Sequence, residues 1–129
     1  MQLAIFIQEF LKELEISEPL PQTVPGVYTL PLDDGLSITM TANPQGFLLN
    51  AVLAEAPKKN EEHFYTEVLL ANLFGQGTKG ATLCLSEEGR MLTLSRDIDY
   101  DVDYKEFREI LEDFINIIDF WREETLKYH

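Results

Sequence analysis

Leu3, Phe6, Ile7, Phe10, Leu11 and Leu14 recur at helical spacing near the start of the chain, with Gln8, Glu9, Lys12, Glu13 and Glu15 between them. That pattern predicts an amphipathic helix with one apolar stripe, Ile5 falling on its polar side, and an end at Ser17 and Pro19. Residues 18–26 hold three prolines and read as a loop. Three strands follow: Val27 to Leu32, Leu36 to Thr41 and Phe47 to Ala54. The first two are joined at Asp33-Asp34-Gly35, a hairpin signal, and the last two at Asn43-Pro44-Gln45-Gly46. Leu36, Ile38 and Met40 alternate with Ser37, Thr39 and Thr41, as expected of a half-buried strand. Pro31 cannot donate to a ladder, which places the first of these strands at a sheet edge.

After the linker Ala56-Pro57-Lys58-Lys59, Asn60 with Glu61 and Glu62 reads as an N-cap and acidic first turn. The helix it opens runs to Phe74 and differs from the first. Phe64, Tyr65, Val68, Leu69, Leu70, Ala71, Leu73 and Phe74 point almost all the way round its axis. A helix apolar on every side must be covered on more than one. In a chain of 129 residues the fold covers one side and a second copy is expected on the other, through Phe64, Val68, Leu70, Leu73 and Phe74. Two strands, Ala81 to Ser86 and Arg90 to Arg96, turn at Glu88-Gly89. Asp103 and Glu106 form an aspartate version of a capping box for the last helix. That helix places Tyr104, Phe107, Ile110, Leu111, Phe114, Ile117, Ile118 and Trp121 along one stripe. The order α-β-β-β-α-β-β-α predicts an α+β fold, a twisted antiparallel sheet of five strands with three helices, in one domain over 1–129.

Charge narrows the partners. Twenty-three acidic against ten basic residues give a net charge of -13. Such a surface repels phosphate backbones and anionic lipid, so neither nucleic acid nor membrane insertion is expected. Cys84 is the single cysteine, which leaves no disulfide within the chain, and the first residues lack the basic flank and cleavage site of a signal peptide. A cytoplasmic location is expected.

The candidate chemistry is thin. Gly75-Gln76-Gly77-Thr78-Lys79-Gly80 has the composition of a phosphate loop, yet a helix precedes it and a strand follows. The free N–H groups of a helix start are therefore not presented to an anion, and the loop reads as a helix end and turn. Asp97, Asp99, Asp101 and Asp103 alternate like the start of a calcium loop. Counting from Asp97, however, the sixth and twelfth positions are Val102 and Arg108, where glycine and glutamate are required. They read as a solvated acidic entry to the last helix; residues 97–129 carry 11 acidic and 4 basic side chains. His63 and His129 share no metal-ligand spacing with Cys84, and no serine sits in a nucleophile context. Neither metal nor cofactor nor catalysis is expected.

The run Leu69-Leu70-Ala71-Asn72-Leu73-Phe74, the glycine loop, Gly80-Ala81-Thr82-Leu83-Cys84-Leu85, Leu92-Thr93-Leu94-Ser95-Arg96 and the closing Phe120-Trp121-Arg122 together resemble the class I type III secretion chaperones, the Tir chaperone family. The resemblance implies a cytoplasmic homodimer that binds the N-terminal segment of a secreted effector and keeps it non-globular, with the secretion ATPase as a further partner. It also implies an effector surface on the first helix and N-terminal strands, at Phe6, Phe10, Leu14, Val27, Ile38, Met40, Phe47 and Leu49. A regulatory protein of the same fold, sequestering a transcription or secretion regulator, is the alternative.

Overall fold

A computed structural model describes residues 2–32, 35–73, 77–86 and 88–128, apart from the side chains of Gln2 and Thr23. Along the chain run α1 (Gln2–Glu13), β1 (Gln22–Val24), β2 (Val27–Pro31), β3 (Ser37–Asn43), β4 (Gly46–Glu55), α2 (Glu61–Asn72), β5 (Thr82–Leu85), β6 (Met91–Asp99) and α3 (Tyr104–Leu126). The expected five strands and three helices are present. A short sixth strand, β1, lies within what the prolines mark as loop. The strands form one sheet in the order β1-β2-β3-β4-β6-β5, every pair antiparallel.

Strand alternation sets which face is buried. Leu30, Ile38, Ala51, Leu94 and Leu83 stand in register across five strands, and all five are buried. Ser37, Thr39, Thr41, Asn50, Thr93 and Ser95 occupy the opposite face, where Asn50 Nδ2 donates to Ser95 Oγ at 2.8 Å. One face thus carries the core and the other stays polar, the ordinary arrangement of an antiparallel sheet packed on one side. Gly46 is required at the start of β4, because a Cβ there would lie 1.8 Å from the Ile98 carbonyl oxygen.

The helices α1 and α3 close the buried face around an aromatic cluster. Phe6 stands 6.2 Å from Phe47 and 5.1 Å from Phe107, and Phe47 stands 5.5 Å from Phe107. Leu111, Phe114, Ile118 and Trp121 of α3 continue the core, and Phe64 of α2 joins it. At the start of α3 Asp103 caps as expected, its side chain accepting from the Glu106 N–H at 2.8 Å.

Several boundaries depart from the expected ones. Asn60 occupies the N-cap of α2 in a left-handed conformation, φ 53°, and makes no side-chain cap. The strand β6 runs to Asp99, so Asp97 and Asp99 are strand residues opposite Leu48 and Gly46 and not part of a loop entering α3. β2 is not the edge: β1 pairs with its first residues, Val27 and Tyr28, and leaves Pro31 beyond the pairing. The Asp33-Asp34 part of the expected hairpin lies outside the described residues.

Candidate functional site

α1 ends earlier than its sequence spacing predicts, and the way it ends builds a groove. Glu15 takes a left-handed conformation, φ 58°. Its N–H donates to the Lys12 carbonyl at 3.1 Å, and the Ile16 N–H donates to the Leu11 carbonyl at 2.9 Å. This pair of bonds is a Schellman ending, which brings the residue after the turn back onto the last helical turn. Ile16 is thereby held over Leu11. From there the chain passes through Pro19, Leu20 and Pro21 into β1, and a groove of about 430 Å³ remains between α1 and the β1–β2 end of the sheet. Ala4, Ile7 and Leu11 line its helix side, Ile16, Pro19 and Leu20 its loop side, and Tyr28 its sheet side. Gln8, Lys12, Ser17, Glu18 and Gln22 complete the lining. The groove is thus apolar within a polar rim, a shape that takes up large apolar side chains of a partner.

A second apolar surface lies at the far end of the sheet. Leu69, Leu70 and Leu73 are 69%, 62% and 53% exposed on α2 and the turn that follows it, and Leu85 is exposed on β5. Tyr65, Val68, Leu69, Asn72, Leu83, Cys84 and Leu85 enclose a shallow cleft of about 280 Å³ between α2 and β5. Singly exposed leucines are normal, whereas several on one helix beside an apolar cleft form a patch of the kind that partners cover.

The structure divides the expected partner residues sharply. Ile38, Met40, Phe47 and Leu49 are wholly inaccessible and Phe6 nearly so. These five are corrected to core residues: strand alternation puts the four on the buried face, and Phe6 is locked against Phe47, Tyr104 and Phe107. Phe10 and Val27 are half-buried and Leu14 is 51% exposed, so these three retain surface for a partner. On α2, Phe64 is corrected likewise, being fully buried against Tyr65 and Tyr128. Val68 is half-buried, Leu70 and Leu73 are open, and Phe74 lies outside the described residues. Sequence reasoning missed Ile16, Leu20 and Tyr28, which form the accessible walls of the groove over the buried Ile7 and Leu11. For Ile16 and Leu20 the signal was an apolar residue on each side of Pro19, whereas nothing in the spacing marked Tyr28.

The other motifs resolve into structure. Within the glycine loop, the Gly77 N–H donates to the Ala71 carbonyl, and Arg96 Nη1 donates to the Lys79 carbonyl at 2.7 Å. Gly80, at φ 89°, leaves space that Arg96 fills: a Cβ there would lie 1.8 Å from Nη1. The described part of the loop is therefore packed onto the domain. Among the described residues no three His, Cys, Asp or Glu side chains group as metal ligands. No described helix is long and apolar enough to cross a membrane. Two phenols are shifted. Burial, with Glu13 beside it, pushes Tyr104 up to about 12, and burial, with a 2.7 Å hydrogen bond to Glu67 Oε2, pushes Tyr128 to about 12.

Residues 5–122 match the family model of the Tir chaperone protein (CesT) family. The chain belongs to the Tir chaperone protein family. It is 28% identical over 117 residues to the Chlamydia pneumoniae protein CPj0713/CpB0740, covering 89% of each. The fold is similar to a chain of the HopA1–SchA chaperone–effector complex, with a TM-score of 0.72, 19% identity, and 92% of this chain and 91% of that one covered. It is also similar to a chain of the heterodimeric ExoU–SpcU complex from the type III secretion system of Pseudomonas aeruginosa, with a TM-score of 0.68, 15% identity, and 98% and 96% covered. Apart from Ala4, the lining of both apolar surfaces of this Tir chaperone family member falls within the matched residues.

Proposed function

We propose that this chain is a cytoplasmic chaperone of a type III secretion system, a single unit over 1–129 that acts without catalysis. It binds the N-terminal segment of a secreted effector and holds it non-globular for delivery to the secretion ATPase. The observation that carries the reading is the α1–β1 groove. An apolar trough with a polar rim, in a member of a chaperone family, suits an unfolded segment that inserts a few large side chains. Most of the binding energy then comes from burying apolar area, at about 25 cal/mol per Å², offset by the cost of ordering the segment. Self-association through Leu69, Leu70, Leu73 and the α2–β5 cleft is part of the same proposal, since it removes from water the exposed leucines that the fold leaves open.

The test is co-expression with secreted proteins of the same organism, followed by mapping of the bound region. Ile16→Asp serves as the groove variant, because Ile16 is 45% exposed and its replacement spares the core. Capture of an effector through its N-terminal segment, weakened at least about tenfold by Ile16→Asp, is expected; that factor corresponds to about 1.4 kcal/mol. If folded wild-type protein retains no secreted protein, or Ile16→Asp retains it equally, the reading is wrong.

A further inference from the structure

At the outer edge of β5 the chain has already used hydrogen bonds that a neighbouring strand would need. β5 is the last strand of the sheet and pairs only with β6, Leu83 opposite Leu94, Thr82 opposite Ser95 and Cys84 opposite Thr93. In an antiparallel ladder, alternate residues direct their N–H and C=O toward the partner strand and the rest direct them away. Leu83 is of the second kind. Its N–H donates to Asn72 Oδ1 at 2.8 Å, and its carbonyl accepts from Asn72 Nδ2 at 2.9 Å. The carboxamide therefore occupies both positions that the peptide group of an added strand would take.

Two residues earlier the same thing happens again. The Ala81 N–H donates to the Thr78 carbonyl at 3.0 Å, and the Ala81 carbonyl accepts from Thr78 Oγ1. Thr78 is one of only two buried polar side chains among the described residues, and its hydroxyl is committed to this bond. Of the outward positions 81, 83 and 85, two are thus satisfied internally. An unpaired edge is a template for strand addition, and side chains that fill its hydrogen-bonding slots remove the template.

We propose that Asn72, with Thr78, closes the β5 edge against strand pairing. A second chain meets the α2–β5 surface through side chains alone, and no extended segment adds to this end of the sheet. Asn72 is a positioning residue in this device: it also fixes the end of α2 to β5, which holds the cleft between them.

Amide exchange and sedimentation velocity on wild type, Asn72→Ala and Asn72→Asp test this. In wild type the Leu83 amide is expected to be protected. In Asn72→Ala it should exchange at least tenfold faster, while the Leu94 amide opposite is unchanged. The same variant should assemble to a larger mass than wild type at equal concentration, because its edge is open. Asn72→Asp keeps an acceptor for the Leu83 N–H and should restore most of the protection. An Asn72→Ala protein with unchanged Leu83 exchange, or with unchanged mass, overturns the proposal. Should that variant fail to fold, rapid exchange of Leu83 in wild type overturns it equally. The comparison is between variant and parent, so it holds whether the parent is monomer or dimer.

Discussion

Phe47 shows how much one side chain decides. Its ring contacts those of Phe6 and Phe107, and it has no accessible surface. Phe47→Ala should cost about 3–5 kcal/mol, the range for an aromatic core truncation, measured as the change in urea unfolding free energy. The same facts place it in the core and not on the partner surface that the resemblance implies. Alternation in the sequence shows that Phe47, Leu49, Ile38 and Met40 share a face, but not whether helices of the same chain cover that face. Leu14, which the resemblance places on the effector surface, does remain exposed, and so does Ile16, which no motif marks. The phenols allow a pH prediction. Tyr104 and Tyr128 are raised from 10 to about 12, so the folded state favours their neutral form. Their contribution is complete below pH 10 and is lost as pH rises toward 12. Thermal melts between pH 9 and about 12 should therefore fall more steeply for wild type than for Tyr128→Phe.

Element boundaries are set by terminal hydrogen bonds, and these were legible only in part. Asp103 capping α3 was evident in its spacing from Glu106, and Asp103→Ala should cost about 1 kcal/mol of stability by denaturant titration. The end of α1 was hidden because its left-handed residue is Glu15, where glycine is the usual marker. Glu15→Gly should stabilise the fold by about 0.5–1 kcal/mol, since relief of the left-handed cost exceeds the added freedom of the unfolded chain. A higher melting temperature with the groove intact is the expected result. β1 was hidden for a different reason: three residues flanked by Pro21 and Pro25 carry no alternation to detect. α2 was the clearest case of an element whose pattern exceeds the fold's needs. Phe64 faces the core, while Leu69 and Leu70 face away from it.

At the scale of the molecule, two apolar surfaces sit at opposite ends of one sheet, the groove by β1 and the cleft by β5. In the proposed dimer each copy carries a net charge of -13, so electrostatic repulsion opposes an apolar attraction. Raising salt from low to physiological should therefore tighten self-association, as screening shortens the reach of the repulsion. Light scattering across that range should show the dimer fraction rising, with a limiting mass of twice 14.8 kDa. Leu70→Asp combined with Leu73→Asp should reduce that mass to one chain while circular dichroism is unchanged, because both side chains are open in the single copy.

Trp121 gives the molecule a built-in optical probe. It is the single tryptophan of the chain, it is buried in the core on α3, and it is absent from the lining of either apolar surface. Its emission should be blue-shifted in the native protein and move to longer wavelength only when the core opens. A ligand titrated into either surface should leave the spectrum still, so tryptophan fluorescence reads unfolding in this protein separately from occupancy.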